Sequence, residues 1–128
     1  MNLAQVVAVI FDFDGTLAPN LDLPEMRQQV IDFTATQQIP ENVYAGRYIV
    51  EIIDAAHAWL NKHAPQCATY YHQTAHDLIT NFELEAARDT RPFPGITEKL
   101  DTLRATGCRL GVVTRNCRAA VLQVFPDI

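Results

Sequence analysis

The sequence predicts an α/β protein, in which a parallel-sheet core is interrupted by an inserted helical segment. Three observations predict it. A continuous apolar run, Val6-Val7-Ala8-Val9-Ile10-Phe11, ends in the polar, glycine-containing loop Asp12-Phe13-Asp14-Gly15-Thr16. A second apolar run, Leu110-Gly111-Val112-Val113, ends in Thr114 near the other end of the chain. Between the two lie stretches with apolar residues at helical spacing, separated by prolines.

The first run is short and β-branched, which favours a strand buried on both faces, as in a parallel sheet. Leu23-Pro24 opens the first helix, because proline suits a first helical turn. Met26, Val30 and Phe33 then share one face. Ile39-Pro40 interrupts the pattern, and a second helix follows with Ile49, Ile52, Ile53, Ala56 and Leu60 in register. Ala64-Pro65 interrupts it again, and a third helix carries Tyr71, Ala75, Leu78 and Phe82. Three such helices resemble a small bundle. Arg91-Pro92-Phe93-Pro94-Gly95 reads as a loop and a domain junction. A helix with Ile96, Leu100 and Leu103 inward then ends at Gly107, a C-terminal cap glycine. The second strand covers Arg109–Thr114. Arg115-Asn116 turns the chain into a last helix with Val121, Val124 and Phe125 apolar. The expected division is a core of residues 1–17 and 91–128, with a helical insertion over 18–90.

Composition narrows the function. Of the 128 residues, 48% are hydrophobic and 20% charged, close to the globular average. The formal charge of −5, with no cluster of basic residues, argues against nucleic acid or an anionic membrane as the main partner. No apolar run approaches the roughly 18 residues of a membrane span, and Met1–Ile10 is too short, and lacks the positive flank, for a signal peptide. Cys67, Cys108 and Cys117 form no close-spaced pair, so reduced thiols in a cytoplasmic protein are the expectation.

The chemistry concentrates at Asp12 and Asp14. In an extended strand residues i and i+2 point the same way, so both carboxylates approach one site at a strand's C-terminal end, where α/β sheets place their ligands. Two carboxylates so close repel, and a hard cation such as Mg²⁺ relieves this. The pair suits phosphoryl transfer, with one carboxylate attacking phosphorus and the other exchanging protons with leaving group and water. Gly15 permits close approach of backbone to phosphate. Asp and Gly also decorate ordinary turns. Asp-x-Asp-Gly-Thr, however, arises by chance in a chain this long only about one time in a thousand, which favours the functional reading.

Asp12-Phe13-Asp14-Gly15-Thr16 with its strand resembles the first signature of the haloacid dehalogenase superfamily. Leu110-Gly111-Val112-Val113-Thr114 resembles the second, and the approach through Phe93-Pro94-Gly95, a helix and Gly107 is similar to the phosphoglycolate-phosphatase-like branch. The resemblance implies a Rossmannoid core with an α-helical cap, incomplete in this chain, and a Mg²⁺-dependent phosphomonoester hydrolase acting on a small phosphorylated metabolite through an aspartyl-phosphate. It makes Asp12 the nucleophile and a Mg²⁺ ligand, and Asp14 the general acid/base and a second metal contact. Thr114 would hydrogen-bond the phosphoryl oxygens, beside a helix N-terminus with free N–H groups. The phosphate-binding set is then Phe13, Gly15, Thr16, Thr114, Arg115 and Asn116, with Arg115 either lining the pocket or capping the turn. True dehalogenases resemble Asp-x-Tyr-Gly-Thr here, so Asp14 favours phosphoesters. Leu17 is followed by Ala18-Pro19-Asn20, not the Asp-Ser pair of many sugar-phosphate members.

The family needs two further signatures, a lysine and a later acidic cluster. The lysines are Lys62 and Lys99, both before Thr114, and the acid after Thr114 is Asp127. The expectation is therefore a shortened chain, a proteolytic remnant or a broken reading frame. It would be unstable or inactive alone, and would oligomerise through bare sheet edges or need a missing C-terminal half. A phosphomutase and a non-catalytic binding or regulatory chain are the alternative readings. Arg47 is the candidate for a substrate anion, against the commoner role of surface arginine. Tyr44 and Tyr48 flank it and could face the same site, but bundle core is the favoured reading of the tyrosines and of Trp59. His72 and His76, four apart on the third helix, have a spacing that can hold zinc. With no acid or cysteine at a third helical position, solvent-facing or groove histidines are the favoured reading.

Overall fold

The computed structural model describes residues 5–128. The beginning of the expected 1–17 core segment and of the Met1–Ile10 stretch lies outside the described residues. The described chain divides into two compact units: residues up to Leu21 with Glu83–Ile128, and Asp22–Phe82. The divisions fall at Leu21/Asp22 and Phe82/Glu83, where the sequence placed junctions near Leu17 and Arg91. Physical reasons are visible on both sides. Leu17 and Ala18 belong to the apolar core of the first unit, and Glu83 accepts a hydrogen bond there from Cys117.

In the first unit, β1 (Ala8–Phe11) pairs in parallel with β2 (Arg109–Val112), with Phe11 opposite Val112. Val113 N–H donates to Phe11 O at 2.9 Å and extends the pairing past the strand. α5 (Ile96–Ala105) precedes β2 and α6 (Arg118–Val124) follows it. Phe13, Leu17, Ala18, Leu100, Val121 and Phe125 form the core, with the Phe13 and Phe125 rings edge to face at 6.2 Å. The expectation that β1 is buried on both faces is corrected. Its residues alternate between exposed and half-buried, with Ile10 69% exposed, while Val7 and Val113 beside the strands are 77% and 68% exposed. Among the described residues the sheet has two strands, so Val9 and Phe11 face the helices and their neighbours face outward.

The second unit is helical. α1 (Leu23–Ala35) starts with Pro24 in its first turn, and the Asp22 carboxylate accepts from Glu25 N–H at 3.1 Å. α2 (Glu41–Tyr44) is a single turn after Pro40, too short to leave a periodic signal. α3 (Ile49–His63) buries Ile52, Ile53, Ala56 and Leu60. α4 (Pro65–Asp89) is longer than the third predicted helix, and Pro65 begins it, as a first-turn proline can. Val30, Tyr44, Ile52, Ile53, Leu60 and Tyr71 lie in one core. Tyr71 stacks on Phe33 at 5.6 Å, and its hydroxyl shares a 2.8 Å hydrogen bond with Thr34, so its polar end is satisfied inside that core. No helix among the described residues is long and apolar enough to cross a membrane.

Candidate active site

β1 delivers Asp12 just beyond its last residue, and a tight loop carries Asp14. Phe13 O accepts from the N–H groups of Thr16, Leu17 and Ala18, and Gly15 N–H donates to Ala18 O at 2.7 Å. Gly15 has φ +77°, a left-handed conformation that costs other L-residues strain, and a Cβ there would meet the Asn20 amide oxygen at 2.7 Å. Asn20 thus packs over the glycine. Phe13 is buried and anchors the loop from beneath, leaving Asp12, Gly15 and Thr16 exposed and Asp14 half-buried.

The second strand end meets this loop. Asn116 Nδ2 donates to Asp14 Oδ1 at 3.3 Å. The backbone N–H of Asn116 donates to Thr114 Oγ1 at 3.1 Å. The Thr114 hydroxyl acts there as an acceptor and keeps its own proton for donation. Arg115 is exposed. Asn116 is buried beside Asp14, and its Oδ1 has no hydrogen-bond partner among the described residues.

The expected free N–H groups at the last helix are corrected in part. α6 starts at Arg118, with Cys117 at its cap, and Cys117 N–H already donates to Glu83 Oε2 at 2.8 Å. Glu83 is 5% exposed and was missed by sequence reasoning. A signal existed: along α4 the buried positions Tyr71 and Ala75 continue at four-residue intervals to Glu83 and Ala87, so this acid occupies an apolar register. Together with Phe13, Asp14 and Asn116, Glu83 lines a cavity of about 10 Å³, roughly one water in size.

Electrostatics follow from this packing. Burial pushes the Asp14 carboxyl above its usual range, the Asn116 hydrogen bond pulls it back, and the charge of Asp12 raises it further. Burial likewise raises Glu83, against the Cys117 N–H, and Asp14 adds to the rise. Burial raises the Cys117 thiol, as does its neighbour Glu83, which leaves it a poor nucleophile. Among the described residues no group of three or more His, Cys, Asp or Glu converges on a metal position. Asp12 and Asp14 offer oxygen donors on two closely spaced residues, and they repel. That donor set fits part of the shell of a hard cation.

Arg47 and its flanking tyrosines lie in the second unit. Tyr44 is buried in that unit's core, while Tyr48 is exposed. Arg47 is exposed, and its Nε donates to Val43 O at 2.9 Å, capping the turn of α2.

The sequence model of the haloacid dehalogenase-like hydrolases matches residues 9–127, and the chain belongs to that family. Its fold is the family's Rossmannoid core, here represented by two parallel strands, with a helical insertion. Among solved structures the chain is similar to a predicted phosphoglycolate phosphatase from Haemophilus somnus, at a TM-score of 0.51 and 23% identity, covering 89% of this chain and 53% of that one. The chain therefore spans about half the length of that protein, and the likeness concerns the fold. No curated protein matches.

Proposed function

We propose that this chain carries the nucleophile and proton-transfer half of a Mg²⁺-dependent phosphomonoester hydrolase. The observation that carries this reading is the tie between the two strand ends, in which Asn116 beside Thr114 holds the carboxyl of Asp14 two residues from Asp12. Asp12 attacks phosphorus, the ester P–O bond breaks, and the leaving alkoxide takes the proton of Asp14. Water then attacks the aspartyl-phosphate, Asp14 accepts its proton, and Asp12 is released with inorganic phosphate. The raised affinity of Asp14 for a proton supports the first role.

Thr114 donates to a phosphoryl oxygen, and the exposed backbone of the Phe13–Thr16 loop, with Arg115, completes the anion site. Asp12 and Asp14 would hold Mg²⁺, which supplies charge neutralisation for the phosphate dianion. The helical unit inserted in sequence between the core segments is the substrate-selecting cap of this reading. Arg47 is its candidate for a second anionic group on a small metabolite.

The test is a phosphate titration at fixed millimolar Mg²⁺, followed by NMR. The expected result is movement of the amides of Phe13, Asp14 and Arg115. Shifts confined to the His72/His76 region would sink the proposal.

A further inference from the structure

Glu83 occupies an apolar register of α4, four residues before the buried Ala87, and is itself 5% exposed. Its Oε2 accepts from Cys117 N–H at 2.8 Å, and the Cys117 thiol lies beside the same carboxyl. Burying a carboxyl with so few partners costs free energy, and an apolar side chain would fill the position without that cost. Packing alone therefore does not account for an acid here. What Glu83 holds is the turn behind β2. Cys117 is the cap residue of α6 and directly follows Asn116. Asn116 N–H donates to Thr114 Oγ1 at 3.1 Å, and Asn116 Nδ2 donates to Asp14 Oδ1 at 3.3 Å. Asn116 is 9% exposed, and its Oδ1 has no partner among the described residues. Its amide is thus held on one side, by the carboxyl that it orients. Where that amide points depends on where the backbone of residues 116 and 117 is fixed.

We propose that Glu83 is a positioning residue for the Asp12/Asp14 site: it pins Cys117 N–H and thereby sets Asn116 against Asp14, with Thr114 beside them. This role presupposes the phosphatase reading of that site. Glu83 touches no reacting atom in the scheme and acts through Asn116. Without its oxygen, Cys117 N–H would be a half-buried donor with no acceptor, and the turn would gain by shifting toward water. Phe13, Asp14, Glu83 and Asn116 line one cavity of about 10 Å³, so a shift of the turn has little distance to travel before it reaches the Asp14 loop. The role needs an acceptor atom at residue 83, not a charge. Glutamine keeps an acceptor in its amide oxygen. Methionine is of similar length and suits an apolar register, but offers no comparable acceptor.

The experiment compares the whole wild-type chain with Glu83→Met and Glu83→Gln by NMR. Leu60→Ala is the destabilised control, since its change lies in the core of the helical unit. Two signals are read. One is the nuclear Overhauser contact between the Asn116 side-chain amide and the Asp14 β protons. The other is the affinity for inorganic phosphate in millimolar Mg²⁺, followed at Phe13, Asp14 and Arg115. Glu83→Met should lose the contact and bind phosphate roughly tenfold more weakly, the scale of one hydrogen bond left unmade. Glu83→Gln should keep both. Leu60→Ala should melt earlier and keep both, which separates positioning from lost stability. Glu83→Met with the contact and affinity of wild type, Glu83→Gln as impaired as Glu83→Met, or Leu60→Ala that loses both would overturn the proposal. If Glu83→Met does not fold, the wild-type Cys117 amide decides: hydrogen exchange at least roughly tenfold slower than an unprotected amide supports the pinning, and unprotected exchange overturns it. If wild type binds no phosphate at these amides, the phosphatase reading fails, and the Asn116–Asp14 contact still decides whether Glu83 positions the pair.

Discussion

The two units handle buried polarity in opposite ways. In the helical unit, the buried Thr34 hydroxyl bonds both Val30 O and the Tyr71 hydroxyl, and the core around it is closed. In the unit that carries the sheet, burial raises Asp14 and Glu83, and Asn116 Oδ1 lacks a partner among the described residues. The first arrangement is what stability alone selects. The second holds charge and unmet hydrogen-bonding capacity at one place, as a site does whose task is to meet a charged ligand. The comparison teaches that the insertion is satisfied within its own core, whereas the strand ends keep the polarity that the proposed site would use.

The largest break in this contrast is at Asp12. In a form of the protein that hydrolyses p-nitrophenyl phosphate with Mg²⁺, Asp12→Asn should lower kcat by more than roughly a thousandfold, the scale of losing a nucleophile. The 128-residue chain itself should turn over poorly, because neither Lys62 nor Lys99 follows Thr114 and the charge of nucleophile and phosphate is then poorly offset. A monodisperse monomer with robust Asp12-dependent activity would refute that second expectation.

The next effect compares apolar residues. Leu60 is fully buried in the helical core, and Leu60→Ala should cost about 2–5 kcal/mol in a denaturant melt. Ile10 is of similar size but faces outward, so Ile10→Thr should change stability by no more than about 0.5 kcal/mol. It should also reduce self-association by light scattering, since an apolar sheet face and edge invite pairing. Equal costs at the two positions would erase the distinction between the units.

How much of this was legible depended on range. The Asp12–Thr16 loop, Thr114, Pro24 in the first turn of α1 and the Gly107 cap are local, and each residue type states its own conformational reason. The outward face of β1 was not legible, because apolar alternation in a short run cannot report what covers its far side. Tyr44 flanks a candidate site residue, and the favoured reading of the tyrosines as bundle core holds for it, though not for the exposed Tyr48. Glu83 was not singled out, because its partner, Cys117, is far along the chain. Local motifs carry the groups of the proposed site, while the groups that hold them come from tertiary packing.

A smaller effect sharpens the loop's role. Gly15→Ala places a side chain at φ +77°, which costs roughly 1–2 kcal/mol, and it displaces Asn20. Gly15→Asn should cost less, because asparagine tolerates the left-handed region. Thermal melts of the two variants check the order, and equal values would indicate that contact with Asn20, not backbone strain, sets the cost.

The smallest effect concerns the sign of a pH dependence. The folded state raises the proton affinity of Asp14 above its unfolded value of 3.8. A carboxyl shifted upward favours the folded state while it is protonated, and that contribution is lost as pH rises from the unfolded value through the folded one. Glu83 shifts in the same direction from 4.5. Ionised Asp14 therefore weakens the folded state at neutral pH, and Asp14→Asn should relieve this while its amide oxygen still accepts from Asn116. The variant should melt at or above wild type at pH 7, and the difference should vanish near pH 3, where wild-type Asp14 is protonated in both states. His76 acts oppositely: its lowered proton affinity makes stability fall as pH drops below 6.5. Because wild type and variant share His76, comparing them at each pH cancels that contribution. Millimolar Mg²⁺ should then raise the Tm of wild type more than that of the variant, since a cation offsets the same repulsion. A variant less stable than wild type at pH 7 without Mg²⁺ would mean that Asp14 and Asn116 form a net stabilising pair, and that the polarity at the strand ends is no different in kind from the satisfied pair inside the helical unit.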